Sequence, residues 1–196
     1  MVENADIDPF LEKQRKEKVL IVDEDNNPVG TASRQEMRQR KLWHRVSYTF
    51  IVTDEEHGSK LLVQKRSMKK DYCPGFLSLS TGGVVGEGED DDLSAVRELE
   101  EEIGIKNEGL EKIKVVKCVD GERSKSYANV YVLRNFNPDA NPLTLQADEV
   151  DEVRYLSRTD IENLIAAGTT EQITPNSYTI YQDCFKRASF EESLNL

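Results

Sequence analysis

Residues 82–105 read "GGVVGEGEDDDLSAVRELEEEIGI" and place nine carboxylates in 24 positions, four of them between Glu98 and Glu102. Like charges at neighbouring helical positions repel and weaken a helix. A segment that accepts this cost calls for an offsetting positive charge. On a helical wheel of about 100° per residue, Val96, Leu99 and Ile103 share a narrow apolar arc, the expected buried stripe. Glu98, Glu101 and Glu102 share a second arc about 100° wide, so the pattern predicts three carboxylates converging on one side. Gly104 suits a left-handed C-cap, and Asp90–Asp92 suit the positive end of the helix dipole. Converging carboxylates supply hard oxygen ligands of the kind that bind Mg²⁺ or Mn²⁺. A solvated acidic face is the alternative for any Glu-rich helix.

Upstream, "FLSLSTGG" reads as a strand opening into a glycine-rich turn. Further back, "RVSYTFIVTD" and "KLLVQKR" are strands around a hairpin signal, and "KVLIVDEDNNPVGTAS" is a strand pair with its turn at Asn26–Asn27–Pro28. Ser33 and Glu36 form a capping-box pattern before a short helix. Downstream, "LEKIKVVKCVD" and "SYANVYVLRNF" alternate as paired strands, "EVRYLS" is a last strand, and "RTDIENLIAAG" and "PNSYTIYQDCFKRASF" read as closing helices. The first is expected to end at Gly168 and the second to start with Pro175 near N1. This order predicts an α/β domain with a mixed sheet between helices.

The chain has 196 residues, which suits one domain with extensions. Residues 1–16 read as a polar, loosely held extension, 17–190 as the domain and 191–196 as a tail. A net charge of −11 argues against binding a nucleic-acid polymer, which would call for clustered Lys and Arg. It does not exclude a small phosphate substrate, because metal ions can supply the positive charge locally. Cys73, Cys118 and Cys184 form neither a CxxC pair nor a disulfide framework, and no run approaches the roughly 18 apolar residues of a membrane span. A cytoplasmic chain with no membrane association is expected. His44 and His57 are too few for a His-rich zinc site, and His44 reads as a packed histidine.

The acidic stretch fits G-x5-E-x7-R-E-U-x-E-E-x-G-U, with U aliphatic, at Gly83, Glu89, Arg97, Glu98, Leu99, Glu101, Glu102, Gly104 and Ile105. It resembles the complete signature box of the Nudix (MutT-like) hydrolases, spanning 83–105. The resemblance implies an α/β/α sandwich with a loop–helix–loop motif. It also implies hydrolysis of a diphosphate linkage, typically in a nucleoside diphosphate derivative, with Mg²⁺ or Mn²⁺. Glu98 and Glu102 would bind metal, while Glu101 would bind a further ion or help activate water. Arg97 would pair with a carboxylate and, with Glu89, hold the motif in place. Gly83 would let the backbone approach metal and substrate. Such proteins often pair, so a homodimer is an expectation. They often recruit one further ligand or base outside the box, for which "ADEVDEV" offers Glu149 and, second, Glu152.

"KRSMKKDYCPGF" carries R-x3-K-x3-P-G at Arg66, Lys70, Pro74 and Gly75. With "WHRVSYTFIV" and "NPVGTASRQEM" it resembles the branch that holds type I isopentenyl-diphosphate isomerases, in which this Arg and Lys contact the substrate diphosphate. That branch's protonating Cys and metal-binding His would fall on Gly82 and Val84, and Cys73 lies before Pro74. The implied reading is a hydrolase on an isomerase-like scaffold. An isomerase-like enzyme and a catalytically quiet nucleotide-binding module are the alternatives.

Overall fold

The structure, a computed structural model, describes residues 8–106, 109–121, 123–167 and 172–185. Its spine is β3 (Trp43–Thr53), where strand alternation divides the core in two. Val46, Phe50 and Val52 face one cluster, and Ile51 faces the other. β7 (Ser124–Phe136) runs parallel to β3 and antiparallel to β6 (Glu111–Asp120). On the other side, β1 (Lys18–Val22) meets β3 at Ile21 and His44 and pairs with β2 (Pro28–Ser33) through the expected turn. β4 (Leu61–Arg66) touches β3 at Val52–Leu61, then splays away to pair with β5 (Leu77–Ser78) and β8 (Val150–Leu156). The result is the expected mixed sheet.

Helices cover both faces. On one, Leu99 and Ile103 of α3 (Asp91–Ile103) pack with Ile51, Leu62 and Leu133. Each such side chain, removed from water, contributes about 1.5–3 kcal/mol. On the other face, Ile161 of α4 (Arg158–Ala167) and Ile180 and Phe185 of α5 (Pro175–Phe185) pack with Phe50 and Val63. Ser33 caps α2 (Arg34–Arg40) by accepting from Glu36 N, while the Glu36 carboxylate turns to Arg40. None of the described helices is long and apolar enough to cross a membrane.

Three expectations need correction. Within the stretch read as loose, Pro9–Lys16 form α1, capped by Asp8, packed on α2 and burying Gln14. Val96 is only half-buried, and the sheet-facing side of α3 carries Ala95, Leu99 and Ile103 together with two glutamates. The strand opening the glycine turn shrinks to two residues, because β5 yields to single bridges such as Thr49–Thr81 and Val46–Val84. The expected end of α4 at Gly168, and residues 186–190 of the last helix, lie outside the described residues.

Candidate active site

The site is built on α3. Asp90 Oδ1 accepts from Asp92 N and Leu93 N at its start, and Gly104, at φ 78°, closes it through a bond to Glu100 O. These caps set the ends of the helix, and the burial of Ala95, Leu99 and Ile103 sets its rotation. Glu98 and Glu102, one turn apart, therefore share a side. That side faces the sheet: Glu98 is 8% and Glu102 1% exposed, whereas Glu100 and Glu101 reach solvent. The sequence alone placed three carboxylates on one convergent face; the structure buries two and leaves the third at the rim.

A glycine-rich segment roofs these carboxylates. Ser47 N donates to Gly83 O at 2.9 Å and Val85 N to Arg45 O at 3.0 Å, which stitches the segment to β3. A Cβ on Gly83 would sit 2.2 Å from Glu98 Oε1. A Cβ on Gly82 would meet Ser47 O at 1.9 Å, and its φ of +146° is itself one that side chains rarely adopt. Glu102 Oε2 accepts from Gly82 N at 3.1 Å and from Gln64 Nε2 at 3.0 Å. Lys70 Nζ lies 3.4 Å from Glu102 Oε1 and pairs with Glu149, which also accepts from Gln14 Nε2 at 3.0 Å.

Arg97 is the hub of the motif. Its Nε and Nη2 grip the two Glu89 oxygens at 2.6 and 3.0 Å, and Nη1 reaches Glu98 Oε1 at 2.8 Å and Glu101 Oε2 at 2.9 Å. Glu89 in turn accepts from Gly86 N at 2.8 Å. Loop, helix start and rim carboxylate are thereby tied to one guanidinium, whose fork geometry suits this role.

The electrostatics follow from burial. Loss of solvent, reinforced by Glu102, pushes the Glu98 carboxyl up to about 7 against the pull of Arg97. Burial likewise brings the Lys70 ammonium down to about 8, despite Glu102. Burial works against the Arg97 charge, but Glu89 and Glu98 hold its pKa above the ordinary value.

A cavity of about 770 Å³ opens here, lined by Glu98, Glu101, Lys70, Glu149, Gly83 and Lys13 among others. Arg66, expected beside Lys70, is not among its lining residues. Its Nε donates to Tyr72 O at 3.0 Å and its guanidinium stands 6.0 Å from the Tyr72 ring, buried inside the loop. The register of β4 shifts between Lys65 and Arg66, so Arg66 does not follow Gln64 towards Glu102, and the chain beyond the strand carries Lys70 back to the cavity. Glu152 pairs with Arg154 at the surface, away from the site. His44 is the packed histidine expected: Nδ1 contacts Leu42 O at 2.9 Å, and burial lowers its pKa to about 3.

Among the described residues, no three His, Cys, Asp or Glu side chains stand close enough to hold an ion as placed, because Arg97 draws Glu101 away and Lys70 engages Glu149. Gly82, Gln64, Gln14 and Lys13 were not foreseen as site residues. Gln64 left a trace, as a polar residue inside an apolar strand run. Gln14 and Lys13 left none.

The family described as NUDIX domain matches residues 43–177. An uncharacterized Nudix hydrolase of Yersinia pestis is 36% identical over 81% of this chain and 80% of its own length. The uncharacterized Nudix hydrolase YfcD of Escherichia coli K12 is 34% identical over 90% of this chain and 91% of its own. Among solved structures, DR0079 from Deinococcus radiodurans superposes with a TM-score of 0.69 at 23% identity, over 86% of this chain and 99% of that one. The NUDIX domain of Shewanella oneidensis NrtR, complexed with ADP ribose, gives 0.56 at 14% identity, over 80% and 99%. The structural likenesses speak to the fold.

Proposed function

The chain belongs to the Nudix hydrolase family, and from that premise we propose that it hydrolyses a diphosphate linkage in a nucleoside diphosphate derivative, using Mg²⁺ or Mn²⁺. The observation that carries this reading is the pair of buried carboxylates, Glu98 and Glu102, under a glycine roof that a single Cβ would fill. Two buried carboxylates repel, and hard oxygen donors of this kind fit a divalent cation. Mg²⁺ is commonly held by one or two protein carboxylates, with substrate phosphates and waters completing its shell. The donor set therefore suits the ion even though Glu101 and Glu149 are engaged elsewhere.

Glu98 and Glu102 would hold the ion, with Gly83 leaving space against Glu98 and Glu149 as a further donor once Lys70 turns away. A bound divalent ion supplies Lewis acidity, neutralising the diphosphate and making water acidic enough to attack phosphorus. Arg97 orients Glu98 and keeps Glu101 at the rim, where that carboxylate can accept a proton from attacking water. Gln64 and Gly82 N fix the rotamer of Glu102. Lys70 and Lys13 bring ammonium groups to the cavity for the diphosphate oxygens. We place the chain on an isomerase-like scaffold. Gly82 and Val84 stand where an isomerase would need its Cys and His, and Cys73 faces a different cavity. Its net charge of −11 favours a small cytoplasmic substrate over a nucleic-acid polymer.

A substrate panel tests the proposal. Nucleotide sugars, dinucleoside polyphosphates, ADP-ribose, coenzyme A, oxidised nucleotides and isoprenoid diphosphates would be incubated with Mg²⁺ or Mn²⁺, following phosphate-containing products. At least one should be cleaved at its diphosphate, with activity abolished by chelator and restored by metal. Full turnover in chelator, or isomerisation without cleavage, would overturn it.

A further inference from the structure

Arg34 lines a second cavity, of about 620 Å³, in which arginines meet a single lining carboxylate, Asp71, whereas the first mixes basic side chains with several glutamates. In a chain of net charge −11, Arg15, Arg34, Arg38 and Arg123 gather around it, with the rings of Tyr72 and Phe76 in its wall. The nearby carboxylates do not neutralise this group evenly. Asp71 is shared between Arg34 Nε at 2.9 Å and Arg38 Nε at 3.3 Å, and Arg34 also takes Glu17 at 3.0 Å. Arg123 lies 4.0 Å from Asp120 with its side chain 59% exposed. The Arg15 side chain has no ionic or hydrogen-bonding partner among the described residues.

Arginine forks match phosphate oxygens, and several of them around one concavity favour a dianion over a single carboxylate. Tyr72 is buried, with Arg38 5.3 Å from its ring centre, but the half-buried Phe76 ring and the exposed Pro74 in the wall give a flat apolar body a surface to lie on. We propose that this cavity is a second anion site, taking a phosphate group carried on an aromatic or otherwise flat apolar body. It shares Arg34 with the acidic cavity, and the segment Asp71–Phe76 that walls it follows directly on Lys70. The occupant is therefore either the far end of the substrate or a separate phosphorylated ligand. The site and its binding test do not depend on the proposed hydrolysis; only the KM comparison that tells the two occupants apart rests on it.

The experiment is calorimetric titration of the whole chain with phenyl phosphate in chelator, so that no metal recruits the probe to the acidic cavity. Wild type should bind saturably and phenol should not. Arg15→Ala with Arg123→Ala, both solvent-reaching side chains, should weaken binding by at least about tenfold. Glu98→Gln should leave it unchanged, and Arg15→Lys with Arg123→Lys should recover part of it. A KM that rises in the alanine double variant for a cleaved panel substrate assigns the site to the far end of that substrate. An unchanged KM alongside lost phenyl phosphate binding assigns it to a separate ligand, and either outcome supports the site. No saturable binding at millimolar probe, equal affinity in the alanine variant, or loss on Glu98→Gln would overturn it.

Discussion

Lys70 Nζ lies 3.4 Å from Glu102 Oε1, with only 3% and 1% of the two side chains exposed. A lysine drawn this far from water, against two carboxylates, occupies the place that the proposed function gives to a divalent cation. Removing one partner of a buried pair leaves an uncompensated charge and costs about 3–5 kcal/mol. Lys70→Met should lose stability on that order in chelator, measured by urea unfolding, and distinctly less with Mn²⁺ present. Equal losses with and without metal would separate Lys70 from any role as a substitute cation.

Glu98 makes stability depend on pH. Its folded pKa, near 7, stands above the ordinary 4.5, so the folded chain holds the extra proton between those values. The stabilisation from that proton is present below about pH 4.5 and is lost as pH rises through about 7. Glu98→Gln keeps the neutral form throughout. In metal-free buffer its stability advantage over wild type should grow from pH 5 to pH 8 by up to roughly 3 kcal/mol. Thermal unfolding at the two pH values gives the answer, and a constant gap would contradict it.

The two glycines of the roof should fail differently. In Gly83→Ala the three atoms nearest the new Cβ all belong to the Glu98 carboxylate, which can move aside at the expense of the proposed metal binding. That variant should fold and lose about 10- to 100-fold in activity, the usual size of a disturbed ligand shell. In Gly82→Ala the Cβ strikes the Ser47 backbone, at a φ that already strains a side chain. The expected outcome is a loss of about 3 kcal/mol or more in stability. Thermal melting beside a rate assay separates the two.

Arg66 should behave as a structural residue. Its bond to the Tyr72 carbonyl and its burial predict that Arg66→Ala loses about 1.5–3 kcal/mol of stability. KM for the best substrate should stay near wild type. A large KM rise without loss of stability would place its guanidinium on the substrate.

Much of this was legible in the sequence. Period-two runs marked β3, β4 and β7, capping residues Asp90 and Gly104 marked α3, and the nine-position motif marked Glu98, Glu102, Arg97 and Glu89. The sequence left open which carboxylate Arg97 meets; Glu89 is one of them because eight residues of spacing bring the loop back over the first turns of the helix. The depth of the carboxylates was not legible. A helical wheel reports direction but not what stands opposite: Gln64, Gly82 N and Lys70 meet Glu102, while Glu98 lies against Gly83 and is held by Arg97. α1 was missed because eight mostly polar residues carry little periodic signal, and their order comes from packing on α2 and from Gln14 meeting Glu149. The place of Arg66 inside the loop was not legible, because motif spacing does not record which side of the loop a side chain takes.

The central claim is that Glu98, with Glu102, supports attack of water on a substrate phosphorus. The most direct measurement is turnover of the best panel substrate in heavy-oxygen water with Mg²⁺, reading the label in each product by mass spectrometry. The account predicts heavy oxygen in a phosphate-containing product of wild type and of Glu100→Gln, whose side chain lies at the surface against Lys106. It predicts labelled product reduced by orders of magnitude in Glu98→Gln. Cleavage without label in any phosphate, or undiminished labelled turnover by Glu98→Gln, would contradict it.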